Sequence, residues 1–261
     1  MFFWIYELPT WALGMILSVV FVGITWVGIV AFRVLVHKRL RSERRANDLI
    51  GVMLSSFSVI YGVLLGLIAI AAFQSYSTTE DTVSHEAASL STLYHMASNY
   101  PPPARQALQQ ELTRYTLVTI KADWPLQKQG IAPTAGSRRM VGLYATLLSF
   151  QPQGEAQVIL HAAMLGELNH YVELRRQRLQ SVGSGIPSVL WWVVFIGALL
   201  NILLIWLLDM ELHVHLILGG VMSLFIGLVI FIIAAMDHPF RGTVSISADA
   251  LRSVYDSLMK P

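Results

Sequence analysis

The chain reads as an all-α integral membrane protein. Three observations carry that reading: four long apolar stretches, the near absence of charge within them, and helical spacing in the polar block between. The stretches are 11–36, 49–73, 186–208 and 213–236, each 23 residues or longer. A helix rises about 1.5 Å per residue and the hydrocarbon core is ~30 Å thick, so ~20 apolar residues suffice to cross it. Hydrophobic residues make up 55% of the 261 and charged ones 13%, about half the ~25% charged share of soluble domains. Four spans and one modest extramembrane domain account for those values.

The expected organisation is an N-terminal transmembrane hairpin over 1–73, a helical extramembrane domain over 74–185, a second hairpin over 186–236, and a tail over 237–261 with a short helix. The first span is expected to be retained rather than cleaved. It lacks a basic leader, carries Glu7 instead, and its 26-residue run exceeds a signal-peptide core.

Charge sets the expected orientation. Five cations, Lys38, Arg39, Arg41, Arg44 and Arg45, lie within the twelve residues 37–48. Short basic loops stay cytoplasmic. The N-terminus and the 74–185 block are therefore expected outside, in the periplasm or extracellular space, with the protein in a bacterial inner membrane. The nine cations and eight acids of the central block do not overturn this, because long domains translocate largely regardless of charge. The same basic loop could also hold anionic lipid headgroups. A net charge of +2 gives no reason to expect nucleic acid, and the lack of cysteine excludes disulfides, thiolate catalysis and cysteine–zinc sites.

Within the polar block, Val83, Ala87, Leu90, Tyr94 and Ala97 continue the second span's helix. Asn99 followed by Pro101, Pro102 and Pro103 stops it, because proline cannot sustain the amide ladder. Leu108, Leu112, Tyr115 and Val118 mark the next helix, expected to end near Trp124-Pro125. After a loop over 129–137, Met140, Leu143, Tyr144 and Leu147 mark a short helix. A long one follows through Val158, Leu165, Leu168, Val172 and Leu179. Gly183 to Pro187 breaks it, with Pro187 suited to the first turn of the third span. Ser247 is placed to cap a final helix through Leu258.

Several of these positions together resemble a family of bacterial membrane proteins called bestrophin-like. The resemblance rests on Tyr61-Gly62-Val63-Leu64-Leu65-Gly66, Glu86-Ala87-Ala88-Ser89-Leu90, Leu93-Tyr94, Tyr115, Trp124-Pro125, Leu190-Trp191 and Asp237-His238-Pro239-Phe240. It implies kinship with the bestrophins, which form pentameric anion channels with four membrane helices per subunit. Bestrophins carry their large domain in the cytoplasm, whereas the charge pattern here places 74–185 outside. Their calcium-binding acidic clusters have no evident counterpart, so no calcium site is carried over.

The candidate site residues lie in and beside the spans. Ser55, Ser58, Gly62, Gly66 and Ala69 form a small-residue stripe, and Gly62-x-x-x-Gly66 permits close approach of two backbones. The stripe reads either as helix packing or as a pore lining, with Leu65 and Ala69 narrowing the conduit and Ile68 facing lipid. Gly219, Ser223 and Gly227 repeat the theme in the fourth span. Asn201, an amide within the third span, is expected to bond across to a neighbouring helix. Asp237, Pro239 and Phe240 mark a helix end that could serve as an interface or gate, with Asp237 free to accept from backbone or to pair with Arg241. Glu167-x-x-His170 has the spacing of one di-iron ligand pair. Only one copy exists, with His85, Glu86, His95 and His161 as loose companions, so neither a metal nor any other cofactor is expected.

The spans hold no charged residue near their centres, which argues against a proton-driven carrier, and no phosphate loop or nucleophile elbow points to an enzyme. Two functional readings stay open. One is an oligomeric channel or pore for inorganic ions, with anions the class suggested by the resemblance. The other is a non-conducting scaffold or sensor whose helical domain binds a partner. Membrane lipid and further copies of the chain are the expected partners in both.

Overall fold

The computed structural model describes residues 9–40, 44–242 and 244–260, without the side chains of 34–40, 44 and 45. Every regular element among the described residues is helical. In chain order these are α1 (Thr10–Leu40), α2 (Arg44–Ser98), α3 (Ala104–Val118), a π-helical turn (Thr119–Asp123), α4 (Trp124–Lys128), α5 (Ala135–Leu148), α6 (Glu155–Ser181), α7 (Ser188–Trp206), α8 (Leu212–Met236), α9 (Asp249–Val254) and a last π-helical turn (Tyr255–Met259). Four of them, α1, α2, α7 and α8, are long and apolar enough to cross a membrane. Of the basic 37–48 segment, residues 41–43 and the side chains of 37–40, 44 and 45 lie outside what is described.

The chain divides into two compact units, 1–74 with 185–237 and 75–184 with 238–261. The helix α2 contributes its first part to one and its remainder to the other. The tail from His238 onward is thus no separate region. Ile246, Ala248, Leu251 and Met259 share one apolar core with Leu93, Leu112, Leu147 and Leu168. Ala248 rather than Ser247 holds the cap position of α9, and Ser247 Oγ instead accepts from the Asp249 N–H at 3.3 Å.

The first unit is interlocked by small residues. A Cβ on Gly227 of α8 would meet the Ser18 Cα at 3.2 Å and the Leu17 carbonyl oxygen at 3.4 Å, so here α8 lies against the α1 backbone itself. A Cβ on Gly28 would overlap the Trp206 ring, and one on Gly197 the Tyr61 ring. Polar side chains then tie the helices together. Thr25 and Ser223 share a hydrogen bond, Trp206 Nε1 donates to the Thr25 carbonyl at 3.1 Å, and Tyr61 Oη to the Val194 carbonyl at 2.8 Å. Asn47 clasps the α7–α8 turn, accepting from the Asp209 N–H at 2.9 Å and donating to its carbonyl at 3.4 Å.

In the second unit α2 stops at Ser98, ahead of the proline run, and Gly154, at φ 84°, precedes α6. Helix α3 does not end at Trp124-Pro125. It widens into the π-helical turn, and Trp124 begins α4 with Pro125 in its first turn. Pro187 likewise stands one residue before the first turn of α7.

Candidate functional site

Two groups of residues stand out chemically, one in each unit. In the first unit, α2 turns Tyr61, Leu65, Ile68 and Ala72 inward, all at or below 5% exposure. Its opposite side carries Ser55, Val59, Gly62 and Val63, which are exposed, with Gly66 partly so. A Cβ on Gly62 or Gly66 would meet nothing within 4 Å. Gly62 and Gly66 therefore form no packing seam among the described residues; glycines 28, 197, 219, 220 and 227 serve that purpose. Two expectations are corrected. Ile68 does not face lipid, and Leu65 does not share the open face of Gly62. Leu65 lies about a sixth of a turn from Gly62 and Ile68 about a third, and both sit in the core with Val194, Ala198 and Ile202.

Ser58 and Asn201 meet. Asn201 Nδ2 donates to Ser58 Oγ at 3.0 Å, while its Oδ1 is buried with no partner among the described residues. Ala69 is half-buried beside the same core. Asp237 accepts from the Ile186 N–H at 2.5 Å and the Trp191 indole at 3.3 Å, anchoring the start of α7. In the second unit, the Pro239 carbonyl accepts from the Ile246 N–H at 2.8 Å. Phe240 is fully buried with its ring edge-on to Trp124, 5.8 Å between centroids. Arg241 donates to the Gln129 carbonyl.

The second group is a buried polar cluster. Glu86 of α2 and Arg178 of α6, both wholly inaccessible, form a bidentate pair: Nε to Oε2 at 2.5 Å and Nη2 to Oε1 at 3.0 Å. Arg178 Nη1 donates to Gln127 Oε1 at 2.6 Å, and the guanidinium lies 5.0 Å over the Trp124 ring. Burial pulls the Arg178 pKa down, but the Glu86 charge and hydrogen bonds outweigh it and hold the group above its ordinary value. Around this pair lie Tyr115, Thr119, Asp123 and Tyr171, all buried, and Arg175, which donates to Ser137 Oγ at 3.1 Å. Burial raises both tyrosines above their ordinary value, Tyr171 the more strongly. It raises Asp123 too, against the opposing pull of Arg175 and Arg178. Among the described residues Thr119 Oγ1, Gln127 Nε2 and Arg175 Nε find no hydrogen-bond partner, while the Tyr115 and Tyr171 hydroxyls face one another and the Gly136 backbone serves Asp123.

Glu86 is thus committed to an arginine rather than to a metal. No group of three or more metal-ligating side chains occurs among the described residues. Glu167 accepts from Ser89 Oγ at 2.5 Å, and His170 is exposed. The sequence reading missed Arg175, Arg178, Asp123 and Gln127. A signal existed: the inward stripe of α6 is Met164, Leu168, Tyr171, Leu174 and Arg178, one position off the stripe read from the apolar residues. A cation continuing an apolar stripe is the mark of a buried partner.

The family model for the Bestrophin-like domain matches residues 19–251. Solved structures of a bacterial bestrophin homolog from Klebsiella pneumoniae share the fold. One variant aligns with a TM-score of 0.68 at 13% identity, covering 95% of this chain and 99% of that one. Another gives 0.65 at 14%, covering 93% and 98%. The structure phased by Zn-SAD gives 0.64 at 14%, covering 93% and 97%. No curated protein sequence matches this chain. A family match spanning nearly the whole chain, with the same all-helical fold, places the protein in the bestrophin-like family.

Proposed function

We propose that the protein is the subunit of an oligomeric channel-like pore in a bacterial inner membrane, conducting small ions, with anions the favoured class. The observation that carries this is the open face of α2. Ser55, Val59, Gly62 and Gly66 lie in line, without charge and without a neighbour over the glycines inside the protomer. Small and hydroxyl side chains on an outward face suit either a second backbone or water, and lipid needs neither. Family membership supports the same reading. Helix α2 is 55 residues long, roughly 80 Å, more than twice the hydrocarbon thickness. Its far part, with Glu80, Asp81 and Glu86, then stands clear of the membrane, and the charge of 37–48 places that end outside.

Purified protein imaged for symmetry and then assayed for ion flux in liposomes tests the proposal. A symmetric oligomer with the α2 stripe on its axis and selective flux is the expected result. A monomer, or an axis closed by packed side chains, overturns it. Orientation is tested with a cysteine in place of Gln129, which should react with an impermeant maleimide in intact spheroplasts. The competing reading, a non-conducting scaffold or sensor, draws on the buried charges of the second unit, which a plain spacer would not need.

A further inference from the structure

Two exposed helix faces in the second unit carry the spacing of helices that pack on helices. On α5, Arg138, Val141, Ala145 and Leu148 recur at steps of three and four residues and all are exposed, Val141 by 69% and Leu148 by 62%. On α6 the same alternation runs through Ile159, Ala163, Gly166, His170 and Glu173, again all exposed, and a Cβ on Gly166 would meet nothing within 4 Å. A repeat of this kind is the seam of a helix pair. Between Ala156 and Leu168 only Gln157, His161 and Glu167 are polar, and a helix apolar on every side belongs among neighbours on every side.

We propose that α5 of one copy of this chain packs against α6 of a second copy. Register carries the proposal. Within one copy the two helices run antiparallel at a fixed level. Arg175 donates to Ser137 Oγ at 3.1 Å, Tyr144 Oη to Asn169 Oδ1 at 2.6 Å, and the Phe150 and His161 rings lie 5.8 Å apart. Counted from those contacts at about 1.5 Å per residue, Arg138 stands level with Glu173, Val141 with His170, Ala145 with Gly166 and Leu148 with Ala163. Both halves of a match therefore lie on this one chain: a cation level with an acid, and the large Leu148 level with small residues. Glu173 holds its own neighbour Arg176 only loosely, at 4.0 Å. Helix α6 also runs antiparallel to α2, where Tyr100 meets His161 at 3.2 Å and Ser89 meets Glu167 at 2.5 Å. Rotation about an axis along α2 carries a copy sideways without changing level, so the same pairs face each other between copies. The charged pair then sets orientation, and the apolar positions supply the contact. This deepens the oligomer reading and rests on it for the direction of the axis.

Single cysteines in this cysteine-free chain test the pairing. Full-length Ala145→Cys with one tag and Gly166→Cys with another are co-expressed, and the membranes are oxidised with copper phenanthroline. A covalent dimer carrying both tags is expected, because a disulfide needs Cα atoms within about 7 Å. Leu148→Cys with Ala163→Cys is a second level-matched pair and should behave alike, which covers a failure of the first to express. Ala145→Cys with Glu155→Cys, displaced by roughly 16 Å along α6, should give no mixed dimer. Absence of both matched dimers overturns the proposal, as it would if a different protein covered these faces. So does a mismatched pair that links as well as the matched ones. Absence of both in an oligomer that conducts ions overturns this seam alone. Both matched dimers in an oligomer without ion flux leave the seam standing and overturn the channel.

Discussion

The two units of this chain solve the packing of helices by opposite means. In the first, backbones approach because side chains are missing. Gly227 lets α8 rest on the α1 backbone, and Gly28 and Gly197 receive the Trp206 and Tyr61 rings. In the second, the helices surround polar groups: Glu86, Arg178, Gln127 and Asp123 are fully buried, as are Leu93, Leu112 and Leu168. The difference follows from solvent. Lipid offers helices no hydrophobic gain on association, so close van der Waals contact and a few hydrogen bonds must hold them. The second unit has an apolar core to drive it together, and that gain offsets the cost of its buried ions.

The sharpest way to break the comparison is to remove one half of the buried pair. Glu86→Ala or Arg178→Ala leaves an uncompensated charge and should cost ~3–5 kcal/mol, read as a loss of exchange protection confined to 75–184 and 238–261. Replacing both with leucine should recover much of that loss. If the single variants change nothing, the cluster is not what holds the second unit.

Next in size is the first unit's seam. Gly227→Leu forces a side chain into the α1 backbone and should cost ~1–3 kcal/mol, measured by thermal unfolding in detergent. Asn201→Leu should cost ~0.6–1.7 kcal/mol. Combined with Ser58→Ala it should add little further, because the two share one hydrogen bond.

The smallest effect on stability should come from the open face of α2. Gly62→Leu is expected to shift protomer stability by no more than ~0.5 kcal/mol, since no neighbour stands over it. It should nonetheless change oligomer size by light scattering if a second copy packs there. Val59→Ser, on the same face, is expected to raise ion leak in liposomes, while Leu65→Ser, in the core, should reduce stability without raising flux.

Four spans and an all-helical fold were legible because apolar length and 3.6-residue spacing are local properties. The positions of the breaks were legible too, from Pro101–Pro103 and from Gly154. Which small residues face a neighbour was not. Gly62-x-x-x-Gly66 and Gly219 with Gly227 look alike as text, yet among the described residues only the second pair is covered. Its covering helix, α1, lies some 200 residues away. The Glu86–Arg178 pair spans 92 residues, and no local pattern couples the two. Asp123 was hidden differently. The reading ended α3 at Pro125, so Asp123 fell at a helix end, where an acid draws no notice.

The π-helical turn over Thr119–Asp123 has a consequence for how this region can vary. Thr119, Asp123 and Gln127 are spaced by four, and a pure α-helix overshoots a turn by about 40° at each such step. The wider turn absorbs that excess, so all three side chains are inaccessible. The inward line is therefore kept by one extra residue in this turn. Deleting one residue between 119 and 123 would close it into a regular helix with Gln127 seven residues from Thr119, only about 20° off the same line. This stretch should accept many substitutions on its exposed side, at Lys121 and Ala122, and the removal of one of those two residues as well.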